Sequence, residues 1–258
     1  MKLNFITGAE FSLSEQQKII DTAISYKQTK NLPNYAGKIL TLLFANPSLR
    51  THLSFESGMK KMGGAVNTLQ LAGSWQFEYK DGAVMDGGNQ EHIKEAAAVI
   101  SRYSDIICLR NSQLITTASE HGEISKWEDL KKDEAINQLA KYATKPVINM
   151  ESNMYHPCQS MADMMTIQEK FGNVKKKKYV LTWAPHIKAL PLATPHSQFL
   201  TPSIFGMDVT LAMPEGFSLD EEVMALAKEK SAQAGGTITI SHDQKEAFAS
   251  REEGVREA

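Results

Sequence analysis

A segment that follows the first predicted strand has the residue types of a phosphate-binding helix start. The strand is predicted to end at Phe44, and a helix is predicted to begin near Ser48. Pro47 suits a helix entrance, and Ser48 or Thr51 can cap the helix. Free backbone N–H groups at a helix start attract anions, and Arg50 adds a planar guanidinium with permanent charge. An ordinary capped helix with a surface arginine would give the same pattern.

Two further polar groups follow predicted strands. His156 comes shortly after a strand predicted to end at Met150, and its ring can hydrogen-bond a carbonyl oxygen that gains charge in a transition state. Gln159 could hold an amide, and Arg110 ends another strand. A structural turn for the histidine and a surface salt bridge for the arginine are the alternatives. Because ligands gather at the carboxyl ends of parallel strands, we expect these groups to converge.

Two more candidates lie in predicted loops, where an exposed site can form. They are Trp75 and His186. A tryptophan in such a place more often packs into the core, so Trp75 alone indicates little.

Short apolar runs alternate with helix-like stretches, which is typical of α/β folds with parallel sheets covered on both faces. Strands are predicted at Lys38–Phe44, Ala65–Leu71, Asp105–Arg110, Lys145–Met150, Lys178–Trp183, Met207–Met213 and Thr237–Ile240. Helices are predicted at Ser12–Thr29, Thr51–Met62, Gln90–Tyr103, Ile136–Tyr142, Gln159–Phe171, Ser197–Phe205 and Leu219–Ala234, with a further short helix ending at Phe248. We predict two parallel-sheet domains, residues 1–172 with four strands and residues 173–258 with three.

The composition favours a protein of a reducing, cytoplasmic compartment. The formal net charge is −2, which gives no support for nucleic acid or an anionic membrane as a partner. Cys108 and Cys158 lack metal-ligand spacing and do not suggest a disulfide framework. The first residues lack the pattern of a signal peptide, and no apolar run is long enough to span a bilayer.

The order and spacing of Asn46–Thr51, Arg110 and His156–Gln159 closely resemble the aspartate/ornithine carbamoyltransferase family over roughly residues 1–248. The resemblance implies that these motifs surround carbamoyl phosphate. The implied carbamoyl-phosphate-binding residues are Ser48, Leu49, Arg50, Thr51, Trp75, Arg110, His156, Pro157, Cys158 and Gln159. Of these, the resemblance implies a catalytic role for Arg50, Thr51, Arg110 and His156.

Within this family the chain looks most like the branch that acts on N-acylated ornithine. The segments that carry this likeness are Gly73–Trp75, Val84–Gly87, Glu91–His92, Asn149–Glu151 and Thr182–His186. Glu151 and His186 match residues that contact the acylated amino acid. Gln90 stands at a position that resembles a selector, with Glu in acetyl-type and Pro in succinyl-type relatives. A neutral Gln does not repel succinate, so both acyl groups stay open, with N-acetylornithine preferred.

The resemblance also implies a mechanism and an assembly. Carbamoyl phosphate binds first, the δ-amine attacks its carbonyl carbon, and phosphate leaves, without a metal or organic cofactor. The product would be an N-acylated citrulline, a step of arginine biosynthesis. Family members are homotrimers, in which the tryptophan matching Trp75 reaches carbamoyl phosphate in a neighbouring subunit.

The chain departs from the family at its end. Relatives continue with a buried strand, a substrate-contacting lysine and a His-Cys-Leu-Pro loop, whereas residues 250–258 here form a charged segment with almost no apolar residues. We therefore expect a second domain that is incomplete at its C-terminus, as in a truncated or frame-shifted product. Two alternatives remain open: an enzyme acting on free ornithine, and a fragment that binds carbamoyl phosphate without turnover.

Overall fold

The computed structural model describes residues 3–113, 126–183 and 192–249. The strands are β1 Ile39–Phe44, β2 Ala65–Gln70, β3 Phe77–Glu78, β4 Glu91–His92, β5 Ile106–Arg110, β6 Val147–Glu151, β7 Lys178–Thr182, β8 Asp208–Ala212 and β9 Thr237–Ser241. The helices are α1 Leu13–Thr29, α2 Leu49–Lys61, α3 Ile93–Tyr103, α4 Trp127–Leu130, α5 Glu134–Tyr142, α6 Pro157–Phe171, α7 Ala193–Ile204, α8 Glu221–Ala234 and α9 Gln244–Ala249. No helix within these ranges is long and apolar enough to cross a membrane.

The larger sheet has four parallel strands in the order β2-β1-β5-β6. Its central strands are buried on both faces, with Leu43 and Ile107 in one apolar cluster and Leu42 and Cys108 in the other. A strand buried on both sides needs a continuous apolar run, which is why the sequence pattern lacks strict alternation. The prediction of a parallel α/β fold is confirmed.

The smaller sheet has three parallel strands in the order β7-β8-β9. Its core includes Phe199 of α7 and Leu211 of β8, and it also takes in Ile20 of α1 and Met164 of α6. Helices α1 and α6, which precede this sheet in the chain, therefore pack on its core, and the division into domains at residue 172 stays a prediction.

All the predicted strands are present, whereas several helix starts differ from the prediction. Helix α3 begins at Ile93 instead of Gln90 because Glu91 and His92 form β4, and the His92 ring caps the helix by accepting from the N–H of Lys94 at 3.1 Å. The β3–β4 pair and α4 were not predicted, because two-residue strands and a single helical turn leave no periodic signal in a sequence.

A buried histidine connects the segment after β6 to the smaller sheet. His196 of α7 is fully buried, and its Nδ1 lies 3.0 Å from the carbonyl oxygen of Met154. Its Nε2 accepts from the N–H of Asp220 at 3.1 Å, so the ring is neutral with its proton on Nδ1. The Asp220 carboxylate in turn accepts from the indole N–H of Trp127 at 2.9 Å. Burial lowers the pKa of His196 to about 4.

The lowered pKa of His196 predicts acid sensitivity. The unfolded chain binds a proton below about pH 6.5, whereas the folded ring resists it until about pH 4. The free energy of unfolding therefore falls as the pH drops through this window, by up to roughly 1.4 kcal/mol per pH unit for one such histidine. We expect His196→Gln to show a shallower pH slope in urea unfolding, with His242→Gln as the control. An unchanged slope in the His196 variant would contradict the assignment.

Candidate functional site

The candidate site lies where the chain, after adding a strand on one side of β1, adds the next strand of the larger sheet on the other side. The chain runs from β1 to β2 on one side and later to β5 on the other, so a crevice opens at the carboxyl ends of β1 and β5. Phe44 is paired with Arg110, and the N–H of Ala45 donates to the Arg110 carbonyl at 2.9 Å. The N–H of Ser112 donates to Asn46 Oδ1 at 2.7 Å. These contacts fix the segment before α2 against the end of β5.

The start of α2 has hydrogen-bond donors that can bind a group from solvent. Ser48 is the N-cap residue with φ −154° and ψ 121°, but its side chain makes no capping hydrogen bond, contrary to the predicted capping role. The first turn contains no acidic residue, so nothing in it neutralises the positive end of the helix dipole. Leu49 and Arg50 are exposed, and Thr51 is half-buried. These features are compatible with the anion site predicted from the sequence, and that role stays a prediction.

Arg110 is held by a carboxylate at the next strand end. A shift in strand register between Leu109 and Arg110 brings Arg110 opposite Glu151, and the two side chains form an ion pair. Only 16% of the Arg110 side chain and 12% of the Glu151 side chain are exposed, so this is not the surface salt bridge considered as an alternative. The Arg110 Nε is buried without a partner in the described chain.

His156 completes this cluster as the residue that precedes α6. Its Nε2 lies 3.7 Å from the Glu151 carboxylate, and its Nδ1 is buried without a partner in the described ranges. Burial, reinforced by the Arg110 charge, lowers the pKa of His156 to about 4. Burial also raises the pKa of Glu151, although Arg110 opposes that shift. The histidine is therefore neutral at pH 7 and can donate one hydrogen bond without carrying charge.

The first turn of α6 positions the motif that follows His156. Pro157 is the first helical residue, two positions earlier than predicted, and it is buried. The Cys158 thiol lies 3.4 Å from the Asn149 carbonyl, and burial raises its pKa to about 12, so the thiol is inert. The Gln159 amide donates to the Asp163 carboxylate at 2.7 Å, which leaves its carbonyl oxygen outside that bond.

Trp75 and Gln90 make hydrogen bonds with residues outside this cluster. Trp75 is 49% exposed, and its indole N–H donates to Glu91 at 3.0 Å, so it is not a core residue. The side chain of Gln90 accepts from the N–H of Gln76 at 2.7 Å. Because Gln76 follows Trp75 in the chain, Gln90 lies close to the backbone beside the tryptophan. His186 lies outside the described residues.

Several groups that hold the cluster in place were missed in the sequence. Ser197 Oγ accepts from the N–H of His156 at 2.8 Å, and Asp133 accepts from the segment Ser152–Met154. Both are common polar residues at helix starts, and no local pattern distinguishes such contacts from ordinary capping.

The known proteins that are similar to this chain are carbamoyltransferases. A family model described as "Aspartate/ornithine carbamoyltransferase, carbamoyl-P binding domain" matches residues 3–169. The N-acetylornithine carbamoyltransferase of Xanthomonas campestris pv. campestris is 37% identical over 250 residues, which cover 95% of this chain and 71% of that protein. The N-succinylornithine carbamoyltransferase of Bacteroides thetaiotaomicron is 34% identical over 216 residues, or 82% of this chain and 60% of the relative. A crystal structure of acetylornithine transcarbamylase complexed with acetylcitrulline superimposes with a TM-score of 0.88 at 37% identity, covering 95% of this chain and 72% of the other.

The Arg110–Glu151 pair predicts an effect on anion binding. An anion that approaches Arg110 also meets the Glu151 carboxylate, so Glu151→Gln removes a repulsive charge. We expect the variant to bind inorganic phosphate roughly tenfold more tightly in calorimetry, because one nearby charge at partial burial is worth about 1.4 kcal/mol. Glu229→Gln on the exposed face of α8 is the matched control and should bind phosphate as the wild type does. Weaker phosphate binding by Glu151→Gln would contradict the prediction and show that the placement of Arg110 by Glu151 outweighs the repulsion between Glu151 and the anion.

Proposed function

Because the chain belongs to the aspartate/ornithine carbamoyltransferase family, we propose that it transfers the carbamoyl group of carbamoyl phosphate to the δ-amine of N-acetyl-L-ornithine. The products are N-acetylcitrulline and phosphate, a step of arginine biosynthesis. The observation that carries the proposal is the convergence of the α2 start, Arg110 and His156 at neighbouring strand ends. The 37% identity to an N-acetylornithine carbamoyltransferase over 95% of the chain supports the choice of substrate.

In the proposed mechanism, the phosphate group lies at the start of α2. Backbone N–H groups and the hydroxyls of Ser48 and Thr51 donate to its oxygens, and Arg50 and Arg110 supply positive charge. Leu49 and the first turn of α6, Pro157 to Gln159, line the same site. The helix dipole and the two guanidinium groups stabilise the charge that gathers on the phosphate as it leaves.

His156, Thr51 and Arg50 act on the carbamoyl carbonyl. Attack of the neutral δ-amine forms a C–N bond and places negative charge on the carbonyl oxygen. Collapse breaks the bond to the phosphate oxygen, which leaves with the electron pair, and the proton lost by the nitrogen goes to phosphate or solvent. The lowered pKa of His156 supports a neutral ring that donates a hydrogen bond to the developing oxyanion.

The acylated amino acid is proposed to contact Glu151, His186 and Gln90. The carboxylate of Glu151 suits a cationic or N–H group of the substrate. We also propose that the enzyme is a cytoplasmic homotrimer, in which Trp75 reaches carbamoyl phosphate bound to a neighbouring subunit. The exposed apolar side chains of Trp75, Leu49 and Val84 support a contact with another subunit. The free thiols of Cys108 and Cys158 support a reducing compartment.

A citrulline assay tests the activity directly. We expect turnover with carbamoyl phosphate and N-acetylornithine, and a kcat/KM at least tenfold lower with free ornithine. Arg50→Gln should lower kcat/KM at least a hundredfold, because it removes the guanidinium charge that is proposed to bind the substrate and to stabilise the transition state. Lys60→Gln, farther along α2, is the control. Full activity in the Arg50 variant would contradict the site assignment, and a preference for free ornithine would reject the substrate.

Gln90 provides a test of acyl selectivity. Introducing a carboxylate with Gln90→Glu should lower kcat/KM for N-succinylornithine at least tenfold, because like charges repel, while the value for N-acetylornithine changes little. Gln76→Glu, at the backbone partner of Gln90, is the neighbouring control. An equal loss for both substrates would place Gln90 outside the acyl pocket.

A further inference from the structure

The direction of the His156 ring depends on the turn Ser152–Tyr155, which joins β6 to α6. The N–H of Ser152 donates to the Tyr155 carbonyl at 2.9 Å, which closes the turn. His156 follows immediately and has φ −130° and ψ 68°, outside the helix that it precedes. Because His156 is not part of a regular element, the groups that fix this turn also fix where its ring points.

The principal group that fixes the turn is the carboxylate of Asp133. Its oxygens accept from the N–H of Asn153 at 2.8 Å, from the N–H of Met154 at 3.3 Å and from the hydroxyl of Ser152 at 2.5 Å. Asp133 is 6% exposed, so these donors have no water to replace it. Loss of the carboxylate would leave two buried backbone N–H groups without partners.

The hydroxyl of Ser152 shows that a carboxylate, and not merely a polar group, is required. Its oxygen already accepts from the Asn149 side-chain amide at 2.9 Å and from the N–H of Tyr155 at 3.2 Å. Both acceptor positions of the hydroxyl are therefore used, and its proton is directed to Asp133, whose oxygen lies at 2.5 Å, in preference to the Tyr155 carbonyl oxygen at 3.3 Å. An NH₂ group in place of the Asp133 oxygen would meet an oxygen with no free acceptor position.

The backbone of Asp133 is also specialised for this contact. Asp133 precedes α5 as its N-cap residue, but its side chain does not cap α5. It adopts the left-handed conformation, with φ 48° and ψ 42°, which costs most L-residues energy and is best tolerated by Asn and Asp. An N-cap aspartate normally accepts from its own helix. Here both oxygens are turned to the segment before His156, while burial raises the pKa of Asp133 to about 6.

We propose that Asp133 is a positioning residue for catalysis, which holds the turn Ser152–Tyr155 so that the His156 ring faces the carbamoyl carbonyl. The proposal rests on the carbamoyl transfer proposed above. Asp133 is buried against the turn, so we expect it to act on the substrate only through His156. Its removal should therefore lower kcat while leaving phosphate affinity, which depends on α2 and Arg110, nearly unchanged.

The test compares Asp133→Asn with Asp129→Asn, an exposed aspartate of α4 that pairs with Lys132. Asparagine keeps the size of the side chain and tolerates the left-handed backbone, so the variant should fold with a melting temperature within a few degrees of the wild type. We expect kcat to fall at least tenfold in Asp133→Asn, with the Kd for inorganic phosphate within twofold. Asp129→Asn should match the wild type in both.

A histidine NMR titration provides a readout that a purely structural role would not move. The wild-type His156 ring should stay neutral from pH 8 to pH 6.5, a range in which Asp133, with a pKa of about 6, stays mostly ionised and His156, with a pKa of about 4, gains no proton. A loosened turn exposes the ring to water, so in Asp133→Asn the resonance should titrate toward the ordinary value near 6.5. If that variant does not fold, Ser152→Ala removes the hydroxyl contact with Asp133 together with the acceptor for Asn149 and Tyr155. It should move the His156 titration in the same direction, and an unmoved titration would overturn the proposal.

The outcomes separate this inference from the proposed function. Absence of turnover by the wild type with N-acetylornithine, N-succinylornithine and ornithine would reject the function, while the titration would still judge the contact between Asp133 and the turn. Wild-type kcat or an unmoved His156 titration in the Asp133 variant would overturn the inference. An equal loss of phosphate affinity and kcat would overturn it as well, since that indicates general loosening.

Discussion

A guanidinium enclosed at the end of a buried strand needs an anion beside it, and the carboxylate of Glu151 supplies that anion for Arg110. The pairing requires β5 and β6 to be neighbours and requires the register shift at Leu109 and Arg110. It also sets the state of His156, because the positive charge of Arg110 and burial both favour a neutral ring. The sheet order, the shift in register and the charge state of the histidine are therefore parts of one arrangement.

The segment after β6, which leads to His156, is held by residues from other parts of the chain. Asp133 holds the turn Ser152–Tyr155 from the side of α5, and His196 holds the Met154 carbonyl from the side of α7. Ser197, the next residue of α7, accepts from the N–H of His156. The turn is thus bound from both sheets, and its position depends on how the two sheets pack. Few side chains could be replaced here without leaving a buried donor unpaired.

Much of the fold could be predicted from the sequence because strands buried on both faces leave long apolar runs, as in Leu40–Phe44 and Ile106–Leu109. The positions of Arg50, Arg110 and His156 close to strand ends were also predictable, since each of them follows such a run. The partners of these groups were not. Pairing of Arg110 with Glu151 depends on strand order and on a register shift, and the contact of Asp133 with the turn joins segments that only the folded chain brings together. Local sequence patterns specify neither the register between strands nor contacts between distant segments.

The ion pair also limits how the site can attract an anion. Arg110 and Glu151 together carry no net charge, so at a distance their fields largely cancel and the pair offers an approaching phosphate little attraction. The attraction must come from the start of α2, where the helix dipole is not opposed by an acidic residue and Arg50 is exposed. Arg110 then contributes at short range, where its direction matters more than the net charge of the pair. Under the proposed function, the exposed Arg50 therefore serves to capture the anion and the enclosed Arg110 to place it, while the carboxylate of Glu151 keeps Arg110 in position before the anion arrives.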